Sequence, residues 1–296
     1  MEVGEVRIAE DEDFNKVRQM CTCHDGWTKE YCKNNITVWS KDNDVSDFKV
    51  IKLKAHLDKI SATMLYDTLH DSKYRKLWDR NMIEGYEICC LNPNNDISYY
   101  SISTPSPLKN RDFVLLRSWL DIGREIFIIN HSVNHASVPT KKNFVRGLSF
   151  ITGYYIVPDG KPEEKGCTLN YVTQSDPKGI RFVYLVIKLL QILDKPSYLF
   201  LGKLPTWVVN KLSKFVAPKI VKRLTKAALA YPKWKAEHEP HFKPWHNPEQ
   251  MSYLPKLNLS DIGSINDTLK ASGVDESNVA ESDAEKVSQN GDEESD

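Results

Sequence analysis

Arg75 and Asp79 are the two residues whose types and spacing most clearly suggest a binding site. They lie four positions apart in the run HDSKYRKLWD, so in a helix they share one face and can form an ion pair. An exposed pair of this kind would add only a few tenths of a kcal/mol to stability. Inside a cavity, an arginine held by its aspartate could instead meet a phosphate group. Burial would favour that function, because stability alone seldom explains a buried ion pair.

A second dense polar run, Asn110-Arg111-Asp112, leads directly into the apolar segment FVLLRSW. We interpret this run as a structural turn in preference to a ligand contact.

The sequence carries none of the motifs of common catalytic chemistry. It has no GxSxG elbow, no P-loop, no dinucleotide-binding glycine pattern and no HExxH pair. Six cysteines follow no zinc spacing, and the cluster of Cys21, Cys23, His24 and Cys32 lacks a second pair of ligands. We therefore expect no catalytic residue, no cofactor, no bound metal and reduced thiols.

Most of the chain before residue 175 has the pattern of antiparallel strands. Helices are predicted at 11–24 and 61–79, the second beginning at a capping Ser61. Strands are predicted at 36–39, 48–57, 84–91, 97–103, 112–120, 125–133, 143–157 and 166–173. Since short turns join consecutive strands, the fold class is α+β with a meandering sheet. Such a sheet wrapped around a terminal helix encloses space for a ligand.

One long amphipathic helix is predicted at 204–231. Pro205 suits its start, Pro218 should kink it and Pro232 should end it. Its apolar stripe consists of Val208, Leu212, Phe215, Val216, Ile220, Leu224, Ala227, Ala228 and Tyr231. Residues 203–236 also contain nine basic residues and no acidic one. Two interpretations remain open: a core helix with a solvated face, or a lid that touches anionic membrane.

The charge of the chain is divided unevenly. The formal net charge is +0, but residues 260–296 contain eleven acids against Lys270 and Lys286, so the remainder carries the compensating positive charge. A basic body suggests an anionic partner surface, for which the acidic tail could compete. Few apolar residues occur from Ser260 onward, which predicts disorder. Ser282 lies in an acidic SDAE context that suits an acidophilic kinase.

Residues 180–201 form an apolar stretch that resembles a membrane span. Arg181, Lys188, Asp194 and Lys195 interrupt it and Pro196 breaks it. A span needs about 20 residues with few or no charges, so we reject that interpretation.

Several runs, in the order in which they occur, identify the chain as similar to a known family. HDSKYRKLWD, SPLKNRDFVLLRSW, SDPKG, LPTWVVNK and HFKPW resemble a START (steroidogenic acute regulatory related lipid transfer) domain, in the branch that transfers phosphatidylcholine. The resemblance covers residues 10–250. It implies a helix-grip fold, in which a curved antiparallel sheet of about nine strands surrounds a C-terminal lid helix and a lipid tunnel. The domain would occupy 1–250 and an acidic disordered tail 251–296.

The resemblance also implies roles for particular residues. Arg75 and Asp79 match the pair that addresses the lipid phosphate, and the headgroup cage positions fall on Leu69, Tyr100, Phe113 and Phe150. Because Leu69 is not aromatic, the cage is a weaker cation–π site. This fits a carrier of phosphatidylethanolamine as well as phosphatidylcholine. Lid and membrane contacts would be Trp207, Lys211, Lys214, Lys222, Arg223 and Lys226.

Relatives in the family run almost directly from DPKG to the LPxWVVNK element, so residues 180–203 are an insertion before the lid. It could be an alternative-exon product, a gene-model error or a segment that deepens membrane insertion.

The resemblance implies a carrier that does no chemistry on its ligand. Two alternatives stay open: a lipid sensor that signals to a protein partner, and a hydrolase or cyclase on a related grip fold. We expect a cytoplasmic monomer, peripheral at anionic membranes, with a phospholipid ligand, an acidophilic kinase acting on the tail and no nucleic-acid partner. The N-terminus is too polar for a signal peptide.

Overall fold

The fold is known from a computed structural model, which describes residues 1–44, 46, 48–104, 109–178 and 206–266, with backbone only at 206–215. The 180–203 insertion, Ser282 and the side chains of Trp207, Lys211 and Lys214 therefore lie outside the described residues.

The described residues contain four α-helices and twelve strands. The helices are α1 (Asp11–Thr22), α2 (Ala62–His70), α3 (Ser72–Trp78) and α4 (Thr206–Glu237). The strands are β1 (Thr28–Lys33), β2 (Ile36–Lys41), β3 (Val50–Ser61), β4 (Met82–Asn92), β5 (Asn95–Ile102), β6 (Asn110–Asp121), β7 (Ile126–Ser132), β8 (Asn134–His135), β9 (Phe144–Arg146), β10 (Leu148–Pro158), β11 (Lys165–Asp176) and β12 (Ile262–Gly263). Short 3-10 helices occur at Pro248–Tyr253 and Leu259–Asp261.

Nine strands form one antiparallel path in the order β1-β2-β3-β11-β10-β7-β6-β5-β4, and β9 adds a parallel pairing to β6. This confirms the α+β class and the sheet of about nine strands. The pattern missed β1, whose TKEYCK sequence is exposed or half-exposed on an edge and shows no apolar alternation. It also merged β9 and β10 into one strand, although Gly147 separates them.

Both faces of the sheet are covered. On the outer face α1 places Phe14 and Val17 against Phe127 and Val172. On the inner face α2 and α4 pack in the main core, where Leu65, Val221, Leu224 and Ala228 meet residues of β3 and β11. Because both faces are buried, β7 has a continuous apolar run, IFII, in place of an alternating one.

Helix α4 differs from the predicted helix at its C-terminal end. Pro232 was expected to end it, but the helix continues through both Pro218 and Pro232 to Glu237. Contacts beyond Pro232 compensate for the missing backbone hydrogen bond. The Lys235 ammonium lies 2.9 Å from Asp71, with both side chains buried, and Trp234 packs on Tyr74.

Four members of the predicted apolar stripe of α4, Leu224, Ala227, Ala228 and Tyr231, are buried as the spacing predicted, but one member is exposed. Ala217 and Val221 are buried, whereas Ile220, assigned to the stripe, is 51% exposed. Packing against α2 and β3 determines which residues at the edge of the stripe face inward.

The folded body extends beyond the predicted boundary at residue 250. Met251, Leu254 and Ile265 are buried, and β12 pairs with β8. The prediction of disorder from Ser260 is therefore wrong for residues 260–266. Among the described helices, none is long and apolar enough to span a membrane.

The ion pair between Lys235 and Asp71 should be a main anchor of α4. Replacing Lys235 by alanine leaves a buried carboxylate without its cation, and we expect a loss of about 3 kcal/mol in the free energy of unfolding. Urea denaturation measures this loss. Lys233→Ala, at an exposed position of the same helix, is the control and should change stability by less than about 0.5 kcal/mol. Equal effects of the two substitutions would contradict the anchoring role.

Candidate functional site

A cavity of about 530 Å3 lies between the inner face of the sheet and helices α2 and α3. Residues of β4, β5, β6, β7, β10 and β11 all line it. Since these strands lie side by side in that region of the sheet, the sheet must curve around the cavity. The expectation that the fold encloses a space for a ligand is met at this place.

Helix α3 presents Arg75 to this cavity. Asp71 begins the helix by accepting a hydrogen bond from the Tyr74 backbone at 3.1 Å. One turn later Arg75 lines the cavity, and its Nε donates to the Asp79 carboxylate at 3.3 Å. The structure thus brings the predicted pair together and places it inside the fold.

Tyr100 on β5 completes the support of this arginine. Its hydroxyl donates to the same Asp79 oxygen at 2.7 Å, and the Arg75 guanidinium lies 4.8 Å from the centre of the Tyr100 ring. Among the described residues, Nη1 and Nη2 of Arg75 form no hydrogen bond, whereas 28% of the Arg75 side chain is accessible. The arginine therefore has one end fixed and one end available to a ligand.

The surroundings keep Arg75 ionised. Burial alone would lower the pKa of Arg75, but the Tyr100 and Tyr154 phenols and the Asp79 carboxylate outweigh it and raise that pKa above its ordinary value. A permanent cation with free N–H groups is a strong donor to phosphate oxygens.

Three of the four predicted cage positions line this cavity. Phe113 on β6 lies directly opposite Tyr100, and Leu69 comes from α2. A side chain at Gly147 would collide with the Phe113 ring, so glycine leaves that ring its space.

Phe150 lies elsewhere. It lines a separate small cavity with Met1 and Val17, on the outer face of the sheet. The register of β10 shifts between Ser149 and Ile151, which indicates a β-bulge at Phe150. The bulge places the side chains of Phe150 and Ile151 both on the outer face. Without the bulge, the regular alternation of side chains along β10, counted back from Thr152, would place Phe150 on the inner face.

The part of the cavity wall formed by β10 and β11 contains residues that the sequence analysis missed. Tyr154 and Tyr171 face each other across β10 and β11, with ring centres 4.9 Å apart. Beside them the Thr152 and Thr173 hydroxyl oxygens are 2.9 Å apart, and Ser149 extends this row. Alternation within each strand could have placed these residues on one face, but only the register brings them opposite each other.

A charged cluster closes one end of the cavity. Arg117 lines it and donates to the buried Asp96 through Nε at 3.0 Å and Nη2 at 2.5 Å. Glu87, which also lines the cavity, lies 3.4 Å from Arg117 Nη2. His70, Ser72, Glu87 and Arg117 are shared with a neighbouring cavity of about 290 Å3.

The Asn110-Arg111-Asp112 run is structural, as interpreted from the sequence, but it begins a strand instead of forming a turn. The buried Arg111 donates to the backbone oxygens of Pro177 and Lys178 at 3.0 and 2.8 Å. Asp112 accepts from Arg146 at 2.8 Å. These contacts tie the beginning of β6 to the end of β11.

The structure does not assemble a metal site from the cysteine cluster. Cys21 is buried whereas Cys23 and Cys32 are exposed. Within the part of the chain that the structure describes, no group of three or more His, Cys, Asp or Glu side chains could hold a metal ion.

The sheet that curves around a cavity, with an internal arginine and a long C-terminal helix, is the architecture of a ligand-enclosing grip fold. The family model described as START domain matches residues 7–188. The chain therefore belongs to the START family, as the motifs predicted.

Individual relatives agree with this assignment. START domain-containing protein 10 of Mus musculus is 41% identical over 293 residues, which are 98% of this chain and 91% of that protein. The phosphatidylcholine transfer protein of Homo sapiens is 28% identical over 195 residues, 64% of this chain and 77% of that protein. The crystal structure of human STARD10 superposes with a TM-score of 0.72 at 41% identity, and covers 87% of this chain and 95% of that chain.

The buried His70 should make stability depend on pH. Its ring lies between Trp119 and Trp245, and burial lowers its pKa well below the ordinary value. As pH falls, His70 is therefore protonated in the unfolded chain before it is protonated in the folded protein. The folded state keeps its full stability above the unfolded pKa of about 6.5 and loses stability as pH falls below that value.

Between pH 7.5 and pH 5.5 the His70 contribution should fall by about 1.4 kcal/mol. Urea unfolding at the two pH values measures it in wild type and His70→Gln. The variant should lack this part of the pH dependence, whereas His241→Gln, at an exposed position, should retain it. An equally steep dependence in His70→Gln would show that His70 is not responsible.

Proposed function

We propose that this protein binds one phospholipid molecule, with its headgroup in the cavity, and carries it between membranes. The observation that supports this most is Arg75, a cation inside the fold with Nε held by Asp79 and two nitrogens without a hydrogen-bond partner among the described residues. Phosphate is the lipid group that matches these donors. A relative at 28% identity is named as a phosphatidylcholine transfer protein.

The energetics of lipid transfer require an enclosed site. A diacyl phospholipid carries about 30 methylenes, each worth about 0.8 kcal/mol on transfer out of water, or about 20 kcal/mol in total. A lipid cannot cross water uncovered at that cost. The carrier must exchange its lipid while it touches a membrane and keep the lipid covered in between.

We propose that both phosphatidylcholine and phosphatidylethanolamine are ligands. Tyr100, Phe113, Tyr154 and Tyr171 offer π-faces to a trimethylammonium group. The aliphatic Leu69 leaves this cage incomplete, so the cavity does not depend on choline. Because the wall hydroxyls of Thr152 and Thr173 bond to each other instead of to a base, we infer that the lipid is carried without chemical change.

Helix α4 supplies the proposed membrane contact. Lys219, Lys222 and Lys226 are all exposed and lie on one side of the helix by their spacing of three and four. Leu229 is 48% exposed and continues this side by one further turn. The half-buried Arg223 lies at the edge of this face. A basic face with exposed apolar residues suits a surface of anionic lipids.

The acidic residues after Asn266 are proposed to oppose this docking. Residues 267–296 contain ten acids against Lys270 and Lys286. We propose that this segment repels anionic membrane or covers the basic face, and that phosphate on Ser282 would strengthen the effect.

Arg75→Ala should strongly reduce the retention of phospholipid. The protein would be purified from cells and its lipid identified by mass spectrometry. We expect one phosphatidylcholine or phosphatidylethanolamine molecule per wild-type chain and at least about a tenfold loss in Arg75→Ala, because a charge-assisted contact is worth about 1.5–3 kcal/mol.

The control for this experiment is Lys76→Ala, which removes an exposed positive charge from the same helix and should leave the lipid in place. Full lipid content in Arg75→Ala, or a phosphate-free lipid in wild type, would contradict the proposed function.

Docking can be measured as binding to vesicles that contain anionic lipid. The triple change Lys219→Ala, Lys222→Ala and Lys226→Ala should weaken binding about 100-fold, since each basic residue near the surface contributes about 1 kcal/mol. Deleting residues 267–296 should strengthen binding in the same assay.

The matched control removes Lys59, Lys161 and Lys165, which are exposed at a distant hairpin end of the sheet. It should change vesicle binding little. Wild-type binding that is insensitive to salt and equal for neutral vesicles would refute the docking surface.

A further inference from the structure

Glu87 lies on the inner face of the sheet, beside the proposed phosphate site. It pairs with Ser98 on β5, and both residues line the cavity. The neighbouring Tyr86 pairs with Tyr99 on β5 and stacks on its ring. The Glu87 side chain is 18% accessible, so its carboxylate can still contact a ligand.

The charges around Glu87 leave its own charge incompletely matched. Arg117 is its nearest cation, at 3.4 Å. Arg117 is also bound through Nε and Nη2 to Asp96, whose side chain is inaccessible. One cation therefore faces two carboxylates, and the closer contacts are to Asp96. Arg117 therefore does not belong to Glu87 alone, and Glu87 is the carboxylate of this cluster that lines the cavity.

Among the described residues that line the cavity, Arg75 offers free N–H donors and Glu87 offers a carboxylate. Gly85 lies opposite Tyr100, and Tyr100 contacts Arg75 through the shared carboxylate of Asp79. Glu87 is two residues further along the same strand, a step of roughly 7 Å. A zwitterionic headgroup has the matching form, since two carbon atoms separate its phosphate oxygen from its ammonium nitrogen.

We propose that Glu87 accepts the headgroup ammonium while Arg75 binds the phosphate, and that this carboxylate gives the cavity its affinity for phosphatidylethanolamine. The inference rests on the proposed function, since it needs a phospholipid in this cavity. A primary ammonium donates N–H hydrogen bonds to a carboxylate. The trimethylammonium of choline has no N–H and interacts with the ring faces instead. Glu87 is therefore the residue that determines specificity for the ethanolamine headgroup, whereas the aromatic rings bind the choline headgroup.

The test compares the two lipids in one vesicle. Wild type and Glu87→Gln would be equilibrated with vesicles of equal parts phosphatidylcholine and phosphatidylethanolamine with the same acyl chains, and the bound lipid measured by mass spectrometry. Glu87→Gln keeps the size of the side chain and removes its charge. We expect the ratio of bound phosphatidylethanolamine to phosphatidylcholine to fall about tenfold, with one lipid per chain retained.

Glu84→Gln is the matched control. It makes the same substitution on the same strand, at a side chain that is 46% exposed and paired with Lys141. It should leave the ratio unchanged. An unchanged ratio in Glu87→Gln with one phospholipid per chain would overturn the inference and leave the carrier function standing. A wild-type protein without any phospholipid would overturn both.

A second measurement uses wild type alone, so it does not depend on the folding of a variant. The probes are phosphatidylethanolamine and its N-methyl, N,N-dimethyl and trimethyl derivatives. Bound lipid should be higher for the first three members, each of which keeps at least one N–H donor, than for the trimethyl derivative, which has none. Equal binding of all four lipids would show that no acceptor recognises the ammonium N–H, and would overturn the role of Glu87.

Discussion

A half-buried arginine that lines the cavity and must stay charged is the constraint on which the site depends. An unpaired cation inside a protein is costly, so the fold has to supply a counter-charge. Asp79 does so at Nε, and Tyr100 fixes Asp79 from the neighbouring sheet. Because this support takes only one edge of the guanidinium, the opposite edge remains available. The same arrangement therefore stabilises the charge and prepares it for an anionic group.

Asp71 connects this site to the long C-terminal helix. Its carboxylate caps the short helix that carries Arg75, and it also accepts from Lys235 at 2.9 Å and from Tyr231 at 3.1 Å. The position of Arg75 and the anchoring of α4 thus share one buried carboxylate. This link also explains why α4 continues past Pro232, since the residues that bind Asp71 lie on both sides of that proline.

Features with a local cause could be predicted from the sequence, whereas those set by register could not. The spacing of Arg75 and Asp79 predicted a shared helix face, and Tyr100 and Phe113, which the resemblance implied as cage positions, line the same cavity as Arg75. Phe150 was expected in the cage, and no local signal marks the bulge that places it on the outer face. Glu87 and Arg117 come together only through the pairing of three strands, which single-strand alternation does not reveal. Ile220 shows the same limit for a helix, because tertiary packing selects the buried side.

The central claim is that Arg75 binds the phosphate of a phospholipid, and an experimental structure of the lipid-loaded protein tests it most directly. We expect phosphate oxygens within hydrogen-bond distance of Nη1 and Nη2 of Arg75, with Nε still bound to Asp79. With phosphatidylethanolamine bound, we also expect the headgroup nitrogen to lie beside the Glu87 carboxylate. A phosphate bound away from Arg75, or a lipid without phosphate in the cavity, would contradict the account.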